Sequence, residues 1–211
     1  MLNSFSPNML KVYQTCPQKF YLQYIEHLNM PKSDLPFEKG KKIHALANYY
    51  LQKIKIDKLE NNLTQAEQKT WELLLNNEYF NKECLKTEFT LYSKIDKYWL
   101  SGRIDAVVKE NNDFYILDYK TGKIPQNPQY DYQTMIYLLC MHKYLKQYSS
   151  LSFIYLDLKE NKNITVNFDK NLEQEYIQKI TEICNKINTD KTFKCNKENC
   201  KFCEYSKICN L

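Results

Sequence analysis

"SGRIDAVVKENNDFYILDYKTG", Ser101 to Gly122, is two runs of apolar and β-branched residues separated by Asn111-Asn112. It reads as a β-hairpin, because Asn tolerates the positive φ that a two-residue loop needs. With that loop, Glu110 faces Asp113, Lys109 faces Phe114, and successive steps outward bring Asp105 opposite Asp118. Directly opposed Cβ atoms on one face lie about 4.5–5.5 Å apart. Strand side chains alternate with period two, so Lys120 shares the face of Asp118 while Tyr119 points the other way. The pattern requires an even loop, since a one-residue slip moves a strand's side chains to the opposite face.

Two carboxylates that close repel, and one pKa rises unless a cation lies between them. A divalent ion does this well: hard Mg²⁺ or Mn²⁺ takes oxygen ligands and keeps several waters. Such an ion acidifies a bound water for attack on phosphorus, and a lysine beside it stabilises the developing charge. The hairpin alone equally allows a solvated ion pair of Lys120 with an aspartate, which would be common and weak.

The chain has 211 residues, enough for one good core. Three Gly and six Pro leave no room for a long flexible linker. The formal net charge of +5 suits a polyanionic partner without demanding one. The start, Met1 to Met9, lacks the charged and apolar regions of a signal peptide, and no apolar run reaches membrane-spanning length. A cytoplasmic protein with no membrane partner is expected. In that compartment eight cysteines are not a disulfide framework. Cys195, Cys200, Cys203 and Cys209 crowd the end of the chain and read as metal ligands, whereas Cys84, Cys140 and Cys184 read as small buried side chains.

Around the hairpin the elements follow in order. "SFSPNMLKVYQTCPQKFYLQYIEHL" reads as two short helices, the first capped by Ser6 with Pro7 at its first position, the second begun by Cys16-Pro17 and carrying Phe20, Tyr24 and Leu28 on one face. "FEKGKKIHALANYYLQKI", from Phe37, is a third helix with the stripe Ile43, Leu46, Ala47, Tyr50 and Leu51. "TQAEQKTWELLLNNEYF" is a fourth, with Thr64 and Glu67 as a capping box. "CLKTEFTLYSKI" is a strand preceding the hairpin. A loop with Pro125 and Pro128 leads into the helix "QYDYQTMIYLLCMHKYLKQY"; then come strands "LSFIYLDLK" and "NITVNF" and the helix "NLEQEYIQKITEICNKINT". Helices, three strands, helix, two strands, helix make an α/β domain around one central mixed β-sheet flanked by helices.

The ordered elements Gly40-x-x-x-His44, Gly102-Arg-Ile-Asp105, Asp118-Tyr-Lys120-Thr-Gly122 and Gln133-x-x-x-Tyr137, with the opening "SPNMLKVYQTCPQKFYLQYI", resemble the PD-(D/E)XK nuclease superfamily. More closely they resemble its RecB-like branch, which includes the AddB nuclease domain and the CRISPR-associated RecB-like iron–sulfur exonucleases. The resemblance spans nearly the whole chain. It implies a restriction-endonuclease-like core forming a single nuclease domain over 1–211, with an N-terminal helical region, a helical insertion over 45–86 and a cysteine-rich tail over 195–209. It implies a Mn²⁺- or Mg²⁺-dependent deoxyribonuclease, an exonuclease in DNA repair, recombination or CRISPR adaptation. Its partners would be single-stranded DNA or DNA ends, with a helicase or CRISPR integrase as a further partner.

By the same resemblance Asp105 and Asp118 are metal carboxylates, the Tyr119 carbonyl is a further ligand, and Lys120 orients the attacking water or stabilises pentavalent phosphorus. His44 adds an imidazole ligand, which suits Mn²⁺ better than Mg²⁺. Gln133 and Tyr137, four apart on one helical face, look toward the site; otherwise they are a partly buried pair. Glu88 stands where relatives often have an acidic residue; otherwise it is a strand-edge charge. Cys16, Cys200, Cys203 and Cys209 resemble the ligand set of one [4Fe–4S] cluster, stapling the first helix to the tail. Cys195 departs from that pattern and leaves open a tetrahedral Zn²⁺ site of Cys195, Cys200, Cys203 and Cys209. The rival reading from another class is a non-catalytic nucleic-acid-binding or assembly module; an intact Asp105, Asp118 and Lys120 argues against it.

Overall fold

The structure, a computed structural model, describes residues 1–30 and 38–209. Phe37, the expected start of the third helix, lies outside them. The elements are β1 (Ser4–Phe5), α1 (Pro7–Thr15), α2 (Pro17–Phe20) with a π-helical turn over Tyr21–Ile25, α3 (Glu38–Leu51), α4 (Asp57–Glu60), α5 (Gln65–Leu75), β2 (Glu83–Ile95), β3 (Tyr98–Glu110), β4 (Asp113–Lys120), α6 (Tyr132–Tyr144), β5 (Ser150–Asp157), β6 (Lys162–Asn167) and α7 (Lys170–Thr189). The helical stretch before the sheet thus begins ahead of residue 45 and ends ahead of β2 at Glu83. The π-helical turn ends at Ile25, so Leu28 falls beyond the helix and is 40% exposed, off the face it was expected to share with buried Phe20.

Local chemistry sets the boundaries. Ser6 accepts from the Met9 amide with Pro7 at the first helical position, and Thr64 and Glu67 form the capping box that starts α5. α6 begins at Tyr132 because the Asp131 side chain accepts from the Gln133 amide; Pro128–Tyr130 ahead of it is only a 3₁₀ turn.

The six strands form one mixed sheet. β3 pairs antiparallel with β2 along its length and with β4 over Ala106–Glu110, β4 runs parallel to β5, and β5 antiparallel to β6. β1 pairs parallel with Trp99 and Leu100 of β3. Since β2 occupies one edge of β3 throughout, β1 and β4 must share the other. They leave a fork on β3 between Leu100 and Ala106.

Helices cover both faces. α1, α6 and α7 pack on one side around Leu10, Tyr13, Ile136, Leu139, Tyr176 and Ile180; α3 and α5 pack on the other around Ile43, Leu46, Trp71 and Leu74. α6 is buried at every residue from Thr134 to Met141, as expected of a helix enclosed between the sheet and other helices. At the fork β3 turns over. Leu100 and Ile104 belong to the α6 side, but Ala106 and Val108 belong to the α3 side, so even-numbered residues change faces across Asp105. Such a break in alternation re-aims a side chain at a strand's interior.

Candidate active site

The hairpin register runs as the Asn-Asn loop dictates, with Asn111 at φ 55° and pairing from Glu110–Asp113 to Ala106–Leu117. It stops one step short of Asp105–Asp118. There the Asp105 carboxylate takes the place of a backbone acceptor: its Oδ2 accepts from the Tyr119 amide at 3.0 Å. The two aspartates therefore do not simply face each other across a ladder. Asp105 is turned into the fork, toward α3.

His44 of α3 meets it. His44 Nδ1 is 3.2 Å from Asp105 Oδ1, and Nε2 donates to the Tyr119 carbonyl at 3.0 Å. Burial pulls the imidazole pKa down, but the hydrogen bond and charge of Asp105, with Asp118 and the Tyr119 carbonyl, outweigh it and leave it above the usual value. A cation is favoured where the two aspartates approach. Gly40 of α3 passes close to the end of β4: a Cβ there would lie 3.1 Å from Thr121 Oγ1.

Glu88 completes a row. In β2 it lies between the Thr87–Ala106 and Phe89–Ile104 pairs, hence across from Asp105, and its φ is 46°. Positive φ in a non-glycine strand residue is costly and is maintained where surrounding structure enforces it. The ligand atoms of His44, Glu88 and Asp105 all lie within 4.8 Å of one another, the one such group among the described residues. Arg103 Nε approaches Glu88 Oε2 at 2.6 Å. The register of the β2–β3 hairpin carried this signal: Asp96-Lys97 as a two-residue loop brings Ile95 opposite Tyr98 and, further back, Glu88 opposite Asp105.

Asp118 is 4% exposed. Gln133 Nε2 donates to its Oδ1 at 2.5 Å, and the Lys120 ammonium stands 2.7 Å from Oδ2, out of hydrogen-bond alignment. Burial raises the carboxyl pKa above its ordinary value; Lys120 opposes this and Asp105 reinforces it. Lys120 also donates to Gln133 Oε1 at 3.3 Å. Gln133 thus fixes both charged groups from the first turn of α6.

Tyr137 follows Gln133 by one helical turn and borders this group: burial raises its pKa, and Asp118 and Asp105 are close enough to raise it further. The Tyr137 hydroxyl donates to the Arg103 carbonyl at 2.8 Å, satisfying a β3 acceptor inside the fork, and the Cε1 edge of its ring presses against Gly102. A Cβ on Gly102 would come 2.1 Å from Tyr137 Cε1, so the glycine is needed for α6 to seat on β3. Tyr137 is buried and packs against the site rather than opening into it.

A cleft of about 810 Å³ opens onto the row, lined by His44, Glu88, Arg103 and Lys120, with Lys41, Asn48 and Tyr49 of α3 on its wall. Two buried carboxylate oxygens, Glu88 Oε2 and Asp118 Oδ2, have a cation beside them but no hydrogen bond. Oxygen-rich and partly imidazole, with unsatisfied carboxylate lone pairs, this donor set fits a divalent ion of the Mg²⁺ or Mn²⁺ kind.

The tail forms a second centre. Cys16, Cys195, Cys200, Cys203 and Cys209 all line one cavity of about 190 Å³ between the α1–α2 junction and the tail. The Asn196 amide donates to Cys16 Sγ at 3.3 Å, and the Cys195 and Cys200 sulfurs are 3.5 Å apart. Burial and neighbouring thiols push the Cys195 thiol up to about 12. No three of the sulfurs lie within 4.8 Å of one another. Zinc–sulfur bonds of about 2.3 Å in a tetrahedron would require that. The cavity thus brings cysteines from the α1–α2 junction and the tail to one place, with Cys195 in contact with Cys200 and Cys209.

A family model of the PD-(D/E)XK nuclease superfamily matches residues 4–210. The chain is 22% identical over 209 residues to the CRISPR-associated exonuclease Cas4 of Francisella tularensis subsp. novicida (strain U112), covering 98% of this chain and 94% of that protein. A solved structure of a candidate exonuclease from Eubacterium rectale superposes with a TM-score of 0.57 at 12% identity, over 99% of this chain and 89% of that one, and shows the shared fold. No helix among the described residues is long and apolar enough to cross a membrane. With matching fold, an ordered carboxylate row and a family match over nearly its full length, the chain belongs to the PD-(D/E)XK nuclease superfamily.

Proposed function

We propose that this protein is a divalent-metal-dependent deoxyribonuclease that acts from DNA ends, and that its cysteine cavity holds a [4Fe–4S] cluster through Cys16, Cys200, Cys203 and Cys209. The observation that carries the reading is the convergence of His44, Glu88 and Asp105 within 4.8 Å, with Asp118 and Lys120 alongside, next to an open cleft that His44, Glu88 and Lys120 line. His44, Glu88, Asp105, Asp118 and the Tyr119 carbonyl would hold the ion. When bound, it supplies positive charge beside phosphorus and makes its water more acidic. Lys120, restrained by Asp118 and Gln133, holds an ammonium where charge develops on the phosphoryl oxygens, and restraint means no reorganisation is needed at the moment of reaction. Asp118, counted among the groups that would hold the ion, also keeps the Lys120 ammonium in place from 2.7 Å. Tyr137 is a positioning residue that seats α6 on β3.

The name of the Francisella relative supports a CRISPR setting; within it the proposed role is adaptation with an integrase as partner, and a helicase in repair is the alternative. The deciding experiment incubates anaerobically purified protein with end-labelled linear DNA and closed circular DNA, with Mn²⁺, Mg²⁺ or EDTA. Stepwise loss of nucleotides from linear DNA alone, only with metal, is expected. Cleavage of the circle would overturn end-dependence, and inertness toward both would overturn the nuclease assignment.

A further inference from the structure

The face that carries Glu88 and Asp105 continues past them. Further along the β2–β3 ribbon it presents the cross-strand pairs Thr90–Arg103, Tyr92–Ser101 and Lys94–Trp99. The reverse side of the same stretch is core, through Leu91, Leu100 and Ile104. Among the described residues the outward side lies open: Tyr92 is 69% exposed and Trp99 46%. Their rings sit 6.3 Å apart at 55°. A diagonal aromatic contact steadies a hairpin, but that alone does not call for both rings to face water in line with the cleft.

Charge and continuity point to an occupant. Arg103 is 69% exposed at the side chain and lines the cleft through its pairing with Glu88, so the strip joins the carboxylate row directly. Lys94, Lys97 and Arg103 lie along or at the end of the strip; the acidic residues there are Asp96 in the turn and Glu88, which belongs to the site. Six residues of strand from Asp105 to Trp99 span about 20 Å. Aromatic faces spaced along a basic track, without a hydrogen-bonding pocket for a base edge, are how proteins take single-stranded nucleic acid of any sequence.

We propose that the open face of the β2–β3 ribbon, from Arg103 to Tyr92 and Trp99, is a platform for a single DNA strand leading from the carboxylate row, with bases stacked on the two rings and phosphates drawn by Arg103 and Lys94. Duplex bases are stacked on one another and cannot use these rings, so the platform makes the enzyme prefer single-stranded DNA. The proposal rests on the nuclease reading above, and the test separates the two.

Trp71 is 4% exposed, so a change in tryptophan emission on adding oligothymidylate in EDTA reports Trp99. Quenching is expected in the wild type, weakening as salt rises, and absent in Trp99→Ala. Tyr92→Ala and Trp99→Ala should each weaken oligonucleotide binding roughly five- to hundredfold, and Trp99→Phe should retain most of it. With metal present, KM for a single-stranded oligonucleotide should rise by the same factor while kcat, and hydrolysis of thymidine 5′-p-nitrophenyl phosphate, stay unchanged. If the wild type cleaves DNA and both alanine variants keep its KM, the platform is overturned and the nuclease reading stands. If the wild type quenches with oligothymidylate but cleaves nothing, the platform stands and the nuclease reading falls. No quenching overturns the platform, as does Trp99→Ala that splits a dimer in sedimentation while leaving DNA affinity intact, which would make this face a protein interface.

Discussion

Replacing Asp118 by Asn should separate catalysis from stability. The carboxylate is 4% exposed, and burial holds its pKa above the ordinary 3.8 despite Lys120 at 2.7 Å. A folded pKa above the unfolded one means that folding favours the protonated carboxyl. The stability this group contributes is complete below the unfolded pKa and is lost as pH rises through the folded value. At neutral pH the charge therefore weighs against the metal-free fold. Asn keeps the volume and can still accept from Gln133, and Lys120, 25% exposed, can turn to water. Activity should fall about 10²–10³-fold, the usual loss when a preorganised charged group leaves a site. Metal at a hundred times its Kd stabilises by about 2.7 kcal/mol, or about 5–11 °C in Tm for a chain of this length. Thermal unfolding by circular dichroism, with EDTA and with Mn²⁺ at neutral and acidic pH, reads the two stability effects, and cleavage of end-labelled DNA reads the activity. In EDTA at neutral pH, Asp118→Asn should melt at or above the wild type, with the advantage vanishing in acid, and Mn²⁺ should no longer raise its Tm. A variant that melts well below the wild type in EDTA, or cleaves DNA at its rate, would refute the reasoning.

Gly102→Ala should lower Tm by about 2–12 °C through overpacking against Tyr137, and Tyr137→Ala in the same background should restore part of the loss; an unchanged Tm in Gly102→Ala would mean α6 is not seated as described. Protein purified without oxygen should show broad visible absorption that bleaches on reduction; Cys16→Ala should lose it and melt lower, while Cys195→Ala keeps it. Colourless protein carrying zinc would instead favour the site of Cys195, Cys200, Cys203 and Cys209. Burial pushes the Asp190 carboxyl up, but hydrogen bonds from the Phe193 and Thr192 amides and the Tyr13 hydroxyl hold its pKa below normal. Its stabilisation is thus present above the unfolded pKa and lost as pH falls through the folded one, so Asp190→Asn should flatten the acid limb of a Tm–pH profile.

How far these features could be read in sequence depended on how local their causes were. Ser6, Thr64 with Glu67, and the Asn111-Asn112 loop act on neighbours a few residues away, and each forms as its chemistry dictates. The two residues of β1 are too short to show alternation, yet they define the fork. Asp105 and Asp118 come together, but through a carboxylate accepting from the Tyr119 amide, because β3 turns over at a point that no alternation pattern marks. Tyr137 shares a helical face with Gln133, but its hydroxyl is committed to the Arg103 carbonyl, which only the seating over Gly102 reveals. Glu88 could have been placed by extending the Asp96-Lys97 hairpin, and Arg103, Lys41 and Asn48 on the cleft wall by periodicity: Arg103 is two residues from Asp105 in β3, and Lys41 and Asn48 share a helical face with His44.

The fork also explains why a centre made from the two ends of the chain belongs in this protein. β1 and α1 close one side of the fork, held by two residues of pairing and by Phe5, Leu10 and Tyr13 in the core. The tail adds to this. Asn196 and Asn199 both donate to the Thr15 carbonyl at the end of α1, at 3.1 and 3.0 Å, and Tyr13 is held by Asp190 at 2.8 Å. These contacts satisfy a helix-end carbonyl that otherwise lacks a partner. From α1, Lys11 reaches Asp131 at 2.8 Å, and Asp131 caps α6 by accepting from the amide of Gln133, whose side chain holds Asp118 and Lys120. The proposed group among the cysteines would touch none of the carboxylates. It would fix α1, which reaches the cap of α6 through Lys11 and Asp131, and the cap holds the residue that orients Asp118 and Lys120. Loss of that group would therefore loosen the site by misplacing Gln133, rather than by removing any atom that meets the substrate.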